Sequence, residues 1–480
     1  MPEGDPEAEY ALRMARWRAY QQWGPDIAVN VTDLPVLMRL ADELGDPQRK
    51  AEVMRLKAEQ AFAAQDVEAG IAATEKAIAL ARANDDPHAE ALANYRLGTH
   101  LAFRTGQDAD AAQAYVERGV ALARAHGFRA LEARILRRLT LILTYRDKYA
   151  PAKEAGERAL ELWRDLGNRL EEGRVLNVLA DVALGRSNYQ EARRYALQGL
   201  KLAKETGNQY DAAWVTSTLS LALLGLGEYT EARSVAERAV VALREAGVLE
   251  HWGFVALCRA DCYLGDHEAA KAHAQRALDR HLDSETFGES WALSTLGMVA
   301  HREGDDPTAR DYSRQAVALS TVGVRRRYHM PVLGYALSGL GELDEAREVF
   351  EEAIALWREL DLPSRASESL AGLAQIALRR GEPARALDLV ERILEHLGDA
   401  GALCDAWEPF QVHLTCARVL RANGDPRADD VLTNAYRDLQ ARAAKIDDQE
   451  LRRSYLRNVP AHRETVAEYT RREGGASESE

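Results

Sequence analysis

Apolar and small residues recur along the chain three or four positions apart, which is helical phase, and the whole pattern returns about every forty residues. Phrases such as "SNYQEARRYALQGLKLAKETGN", "GEYTEARSVAERAVVALREAG" and "GELDEAREVFEEAIALWREL" set the register. Aligned on the small residue after each turn, the copies begin at Gly70, Ala112, Ala152, Ala192, Ala232, Ala270, Ala309, Ala346, Ala386 and Ala428. Seven residues later comes a second, mostly small site, from Ala77 and Gly119 to Ala435. Twelve residues earlier comes a third: Thr140, Ala180, Ser220, Cys258, Gly297, Gly334, Ala374, each behind a leucine. Such spacing predicts two amphipathic helices per unit, A and B, with small residues where their axes cross closely. Glycines punctuate the units, at Gly227, Gly265, Gly304, Gly341 and Gly381 between the helices, and at Gly127, Gly167, Gly207 and Gly247 after helix B. A lone pair cannot bury its apolar face; stacked pairs can.

The repeats divide the chain. Residues 1–9 read as an acidic, disordered N-terminus, 10–46 as a degenerate cap, and 47–445 as an array of about ten units. Residues 446–473 read as C-terminal capping helices, with Leu451, Tyr455 and Leu456 sealing the last apolar face, and 474–480 as a disordered tail. The length of 480 residues therefore measures extent of surface; it does not indicate about three separate cores.

Composition narrows the function. A net charge of -14 argues against nucleic acid as a partner. No apolar run is long enough to span a membrane, and the acidic start lacks a secretory n-region, so a cytoplasmic location is expected. No phosphate loop, H-E-x-x-H, G-x-S-x-G, C-x-x-C or G-x-G-x-x-G occurs, so neither an enzyme nor a cofactor is expected. His251, Cys258 and Cys262 share a face of one helix A, with His267, His273 or His281 as further zinc ligands; the competing and stronger reading makes Cys258 a small packing residue, so no metal is expected. The basic run Arg325–Arg327 is either a grip for an acidic partner or a solvated helix start, the second being favoured.

Small residue, alanine twelve on, small residue seven further resembles the tetratricopeptide repeat, in the longer, roughly forty-residue variety of kinesin light chains and bacterial signalling proteins. The C-terminal phrase "NVPAHRE" is similar to the ending of arrays that serve as sensors in large bacterial STAND-type signalling ATPases and multidomain transcription activators. The resemblance implies an all-α fold, a right-handed α-solenoid with helical caps at both ends. It implies a concave groove lined by helices A, at positions six and three before the third small site and one and four after it.

Carried onto this sequence, those positions place Arg134, Arg174, Trp214, Trp252, Trp291 and Tyr328 in one register, Arg137 and Asn177 in the next, and Arg259, Met298 and Tyr335 beyond. Two readings of the aromatic register stand open: anchors for an extended partner segment, or rings packed against the neighbouring helix A. The expected function is a non-enzymatic protein- or peptide-binding scaffold, the sensor array of a bacterial signalling protein. Changes of solenoid curvature would pass binding to an NTPase or effector domain in the same polypeptide or operon. The alternative is a receptor for a short signalling peptide, resembling quorum-sensing repeat regulators.

Overall fold

The structure, a computed structural model, describes residues 5–23, 33–64, 66–102, 109–245, 250–279, 286–320, 323–397, 403 and 406–477. Among them every regular element is helical. The chain divides into two compact units, one made of Met1–Thr144 and Ala150–Asn168, the other of Tyr145–Tyr149 and Arg169–Glu480.

The first unit contains α1 (Pro6–Trp23), α2 (Leu34–Glu43), α3 (Pro47–Ala63), α4 (Val67–Ala83), α5 (Pro87–His100), α6 (Ala109–Ala125), nearly all of α7 (Arg129–Tyr145), and α8 (Tyr149–Asp165) after its first residue. The second runs through α9 (Arg169–Gly185), α10 (Tyr189–Glu205), α11 (Gln209–Gly225), α12 (Tyr229–Glu245), α13 (His251–Leu264), α14 (His267–Asp279), α15 (Thr286–Glu303) and α16 (Asp306–Leu319). It continues through α17 (Gly323–Leu340), α18 (Leu343–Glu359), a short 3-10 turn at Pro363–Ala366, α19 (Ser367–Arg379), α20 (Pro383–Leu397), α21 (Pro409–Ala422), α22 (Arg427–Ala444), α23 (Gln449–Arg457) and α24 (Pro460–Ser477).

The small sites do what their spacing predicts. Ala112, Ala152, Ala192, Ala232, Ala270, Ala309, Ala346 and Ala386 are wholly buried at the crossing of helices A and B. A Cβ on Gly98 would lie 2.5 Å from the Ala112 carbonyl oxygen, and one on Gly297 3.2 Å from that of Ala309. Where this site is Ser220, its hydroxyl donates to the Ala232 carbonyl at 2.8 Å. Helix starts are set by side-chain caps: Asn188 accepts from the Glu191 amide and Asn208 from the Asp211 amide. Helix ends turn through left-handed residues, glycine at Gly227 (φ 72°) but Asp147 (φ 57°) and Ser187 (φ 55°) in the two preceding copies. Gly247 lies outside the described residues.

The ends differ in extent from the reading above. α1 begins at Pro6, where Asp5 accepts from the amides of Glu7 and Ala8. α24 continues to Ser477, and residues 478–480 lie outside the described set. Tyr455 is fully buried, and it meets Tyr229, whose ring centroid is 6.2 Å away.

The second unit folds back on itself. Four turns between helices A and B rest on elements some 180 to 210 residues further on. Arg327 donates to Asp147 at 2.7 and 2.8 Å, Arg365 to the Leu184 carbonyl at 3.5 Å, Arg442 to the Tyr229 hydroxyl at 3.1 Å, and Asn458 to the Gly265 carbonyl at 2.9 Å. Arg327 is thus neither a solvated helix start nor a grip for a partner: it is 1% exposed and paired within its own unit.

Candidate functional site

Helices A of the second unit bring two stretches of functional side chains to one surface. In the first, α11 carries Tyr210 and Trp214 one turn apart, stacked at 6.4 Å, and Trp214 meets Trp252 of α13 edge-on at 6.0 Å. Both tryptophans are half-buried, and Tyr210 is exposed. Beside them α9 presents Arg174, Asn177 and Asp181. Arg174 is held by Asp211 and Glu171, each at 2.8 Å. Asn177 is buried and its carbonyl oxygen has no hydrogen-bond partner among the described residues. Burial pushes the Asp181 carboxyl up to about 7, against one hydroxyl donated by Thr218 at 3.3 Å.

The second stretch, around Trp291 and Tyr328, is already filled by the chain. The segment Ala406–Trp407–Glu408 crosses it, and the Trp407 indole lies 5.8 Å from the Trp291 ring and 6.4 Å from that of Tyr263. Its ring N–H donates to the Tyr328 carbonyl at 2.9 Å. Glu368 accepts the amides of Trp407 and Glu408 at 3.1 and 2.9 Å. Arg302 donates to the Trp407 carbonyl and, at 2.5 Å, to the Glu408 carboxylate. Tyr263 donates to the Ala406 carbonyl at 3.2 Å. The Arg259 guanidinium stacks over Trp291 at 4.1 Å and has no acidic partner among the described residues. Burial raises the Glu368 carboxyl to about 7, opposed by the two amides it accepts.

The expected register is therefore split. Trp214 and Trp252 form one pair; Trp291 and Tyr328, 5.6 Å apart, form another that is covered by Trp407. Met298 and Tyr335, expected on the groove, are core residues at 0% and 4% exposure: Tyr335 packs on Phe350 and donates to Glu368 at 3.4 Å. The reason is close approach of successive helices A, whose facing positions meet each other instead of solvent. Arg134 is exposed and Arg137 half-buried, both in the first unit.

Cys258 and Cys262 are buried, and burial pushes the Cys258 thiol up to about 12. His273 is held by Asp261 at 2.7 Å and His267 lies 3.6 Å from Glu303; the side chains of His251 and His281 lie outside the described residues. Among the described residues no cluster of three or more His, Cys, Asp or Glu is placed to hold a metal. No described helix is long and apolar enough to cross a membrane.

Sequence reasoning missed Trp407, Glu368 and Arg302. The available signal was "AWEP": proline disfavours helix for the residue before it, so Pro409 holds Glu408 out of helix (φ -128°, ψ 65°).

The Tetratricopeptide repeat family profile matches residues 131–205, 171–245, 253–321 and 329–397. Among solved structures, the chain is similar to a Rap protein complexed with Competence and Sporulation Factor, with TM-score 0.53 and 10% identity over 74% of this chain and 99% of that one. It is also similar to the apo form of the quorum sensor NprR from B. thuringiensis, with TM-score 0.47 and 13% identity over 71% of this chain and 96% of that one. At these identities the likeness is one of fold. Comparison with curated protein sequences finds no match.

Proposed function

The chain belongs to the tetratricopeptide repeat family, and on that premise we propose that it is a non-enzymatic scaffold binding an extended protein or peptide segment on its helix-A surface. One observation carries the proposal: that surface already holds a non-helical segment, Ala406–Glu408, through rings for its side chain and polar groups for its backbone. The stretch around Trp214 and Trp252 offers the same kinds of groups. Apolar side chains of the ligand would pack on the Tyr210–Trp214–Trp252 rings, a backbone N–H would meet the Asn177 carbonyl oxygen, and a cationic group would meet Asp181. In this reading Asp181 is a recognition group rather than a catalytic acid, and the array regulates an NTPase or effector domain in the same polypeptide or operon.

The test uses peptides selected from a random dodecapeptide display library on the purified protein. Trp214→Ala with Trp252→Ala should weaken them at least about tenfold, the scale of aromatic anchor loss, while circular dichroism and gel filtration stay unchanged. Equal binding to a folded double variant would overturn the proposal.

A second reading is a receptor for a short signalling peptide. The small size of the occupied stretch, three residues long, favours it. Peptides of five to eight residues that raise the melting temperature would select this reading. Binding only by long segments would select the scaffold.

A further inference from the structure

In α7, α9 and α11 the helix begins eighteen residues ahead of the left-handed residue that ends it, Asp147, Ser187 and Gly227 respectively. Eighteen residues ahead of Gly424 is Ala406, yet α21 starts only at Pro409. The missing first turn is Ala406–Trp407–Glu408, left outside the helix because Pro409 keeps Glu408 out of the helical region. Unwinding leaves backbone donors and acceptors that must be met when buried. They are met by side chains of other helices A: Tyr263 of α13, Arg302 of α15 and Glu368 of α19, with the Tyr328 carbonyl of α17 taking the indole N–H. This is how a protein binds a peptide. It is not how two helices pack.

We propose that Arg259, Tyr263, Trp291, Arg302, Tyr328 and Glu368 form a peptide site specific for a non-helical segment with an aromatic residue followed by a carboxylate, and that Ala406–Glu408 is its built-in competitor. The specificity follows from the contacts. The ring slot between Tyr263 and Trp291 takes a flat aromatic side chain with an N–H facing the Tyr328 carbonyl. The next side chain must be an acid, because Arg302, 2% exposed, is buried with its charge and needs a carboxylate there. Arg259, stacked on Trp291 without an acidic partner among the described residues, is placed to meet a second acid in the incoming segment. The inference rests on the peptide-binding reading above and names the ligand chemistry of a second part of the same surface.

The probe is a fluorescein-labelled peptide of residues 402–410 of this chain, with serine at the position of Cys404. Trp407→Ala empties the ring slot and removes the indole's hold on the segment, so that an incoming peptide can displace Glu408 from Arg302. The variant should bind the peptide at least about tenfold more tightly than the wild type. Peptides with Trp407→Ala or Glu408→Gln should bind the variant no better than a scrambled control. Should Trp407→Ala not fold, Trp407→Phe keeps a ring but loses the indole donor, and it should show about threefold tighter binding than wild type. A folded variant that binds the peptide no more tightly than wild type overturns the inference. Peptides selected through Trp214 and Trp252 are the control: if they still bind, only this inference fails; if they do not bind either, the reading beneath it fails as well.

Discussion

The contact between Asp147 and Arg327 lets a double-mutant cycle measure the closure of the second unit. These residues are 6% and 1% exposed, and two N–H groups of Arg327 reach the carboxylate at 2.7 and 2.8 Å. The Tyr149 hydroxyl donates to the same carboxylate at 2.5 Å, and the guanidinium lies 4.5 Å from the Trp357 ring. Removing one member leaves a buried charge unmatched, which costs about 3–5 kcal/mol; removing both costs much less than twice that. Asp147→Asn suits the site because asparagine tolerates the left-handed backbone. Arg327→Met keeps the apolar stem over Trp357. Each single variant should lose about 3 kcal/mol and the double variant about the same, a coupling near 3 kcal/mol. Repeat arrays do not always unfold in one step, so urea melts should be paired with hydrogen exchange on peptides covering residues 145–149 and 323–340. Both should lose protection together in either single variant. Effects that add to within about 0.5 kcal/mol would refute the turn-on-turn contact.

Other outcomes follow from particular packing and charge. A Cβ on Gly185 would lie 2.2 Å from the Tyr149 ring and one on Gly225 2.1 Å from that of Tyr189, so Gly185→Ala and Gly225→Ala should each cost about 1–3 kcal/mol in urea melts; a neutral result would mean the rings move aside freely. Burial holds the Glu368 carboxyl near 7, above its value in the unfolded chain, so the folded state binds more protons between about pH 4.5 and 7. The Glu368 contribution to stability should therefore fall as pH rises through that window, so the wild type should lose up to about 3 kcal/mol relative to Glu368→Gln across it; parallel profiles of the two proteins count against the buried carboxyl. Burial lowers His462 to about 3 and His413 to about 4, so below about pH 6.5 the unfolded chain gains protons the folded chain refuses. Acid should then loosen the contact of α24 with Phe410, seen as early exchange in residues 460–470. The thiols of Cys258 and Cys262 should resist Ellman's reagent until the protein unfolds, since burial raises both; prompt reaction of either in the native state would show it is accessible.

Much of this was legible because a repeat averages over its own exceptions. Ala232, Ala270 and Ala309 mark the same crossing three times over, and any one could have been misplaced without harm. The site residues had no such redundancy. Trp291 and Trp252 occupy equivalent places in the register, yet one is covered and the other half-buried. The difference is Trp407, more than a hundred residues away, and no local pattern announces where an unwound turn of a distant repeat will land. Likewise "RRR" reads as surface by composition, but Arg327 is taken inward by Asp147 from a turn five repeats earlier. Asp147 itself sits where later copies have glycine, so its backbone role was visible and its electrostatic role was not.

The turn contacts also change how such an array would transmit binding. A solenoid whose units touch only neighbours is elastic, and small rotations accumulate along it. In the second unit Arg327, Arg365, Arg442 and Asn458 tie turns to elements far along the chain, so a smooth change of curvature would strain all four ties together. Two of the four ties are hydrogen bonds from arginine or asparagine to backbone carbonyls, each worth about 1–3 kcal/mol, and the Asp147 pair is stronger. Binding energy of a few kcal/mol therefore suffices to release one tie but not the set. Transmission in this unit would then be stepwise, through loss of a particular contact, and not a gradual uncoiling. A ligand that displaces Trp407 would act on Tyr328 first, since its carbonyl takes the indole N–H and Arg365 donates to its hydroxyl. Arg365 also donates to the Leu184 carbonyl, which makes that tie the first expected to open.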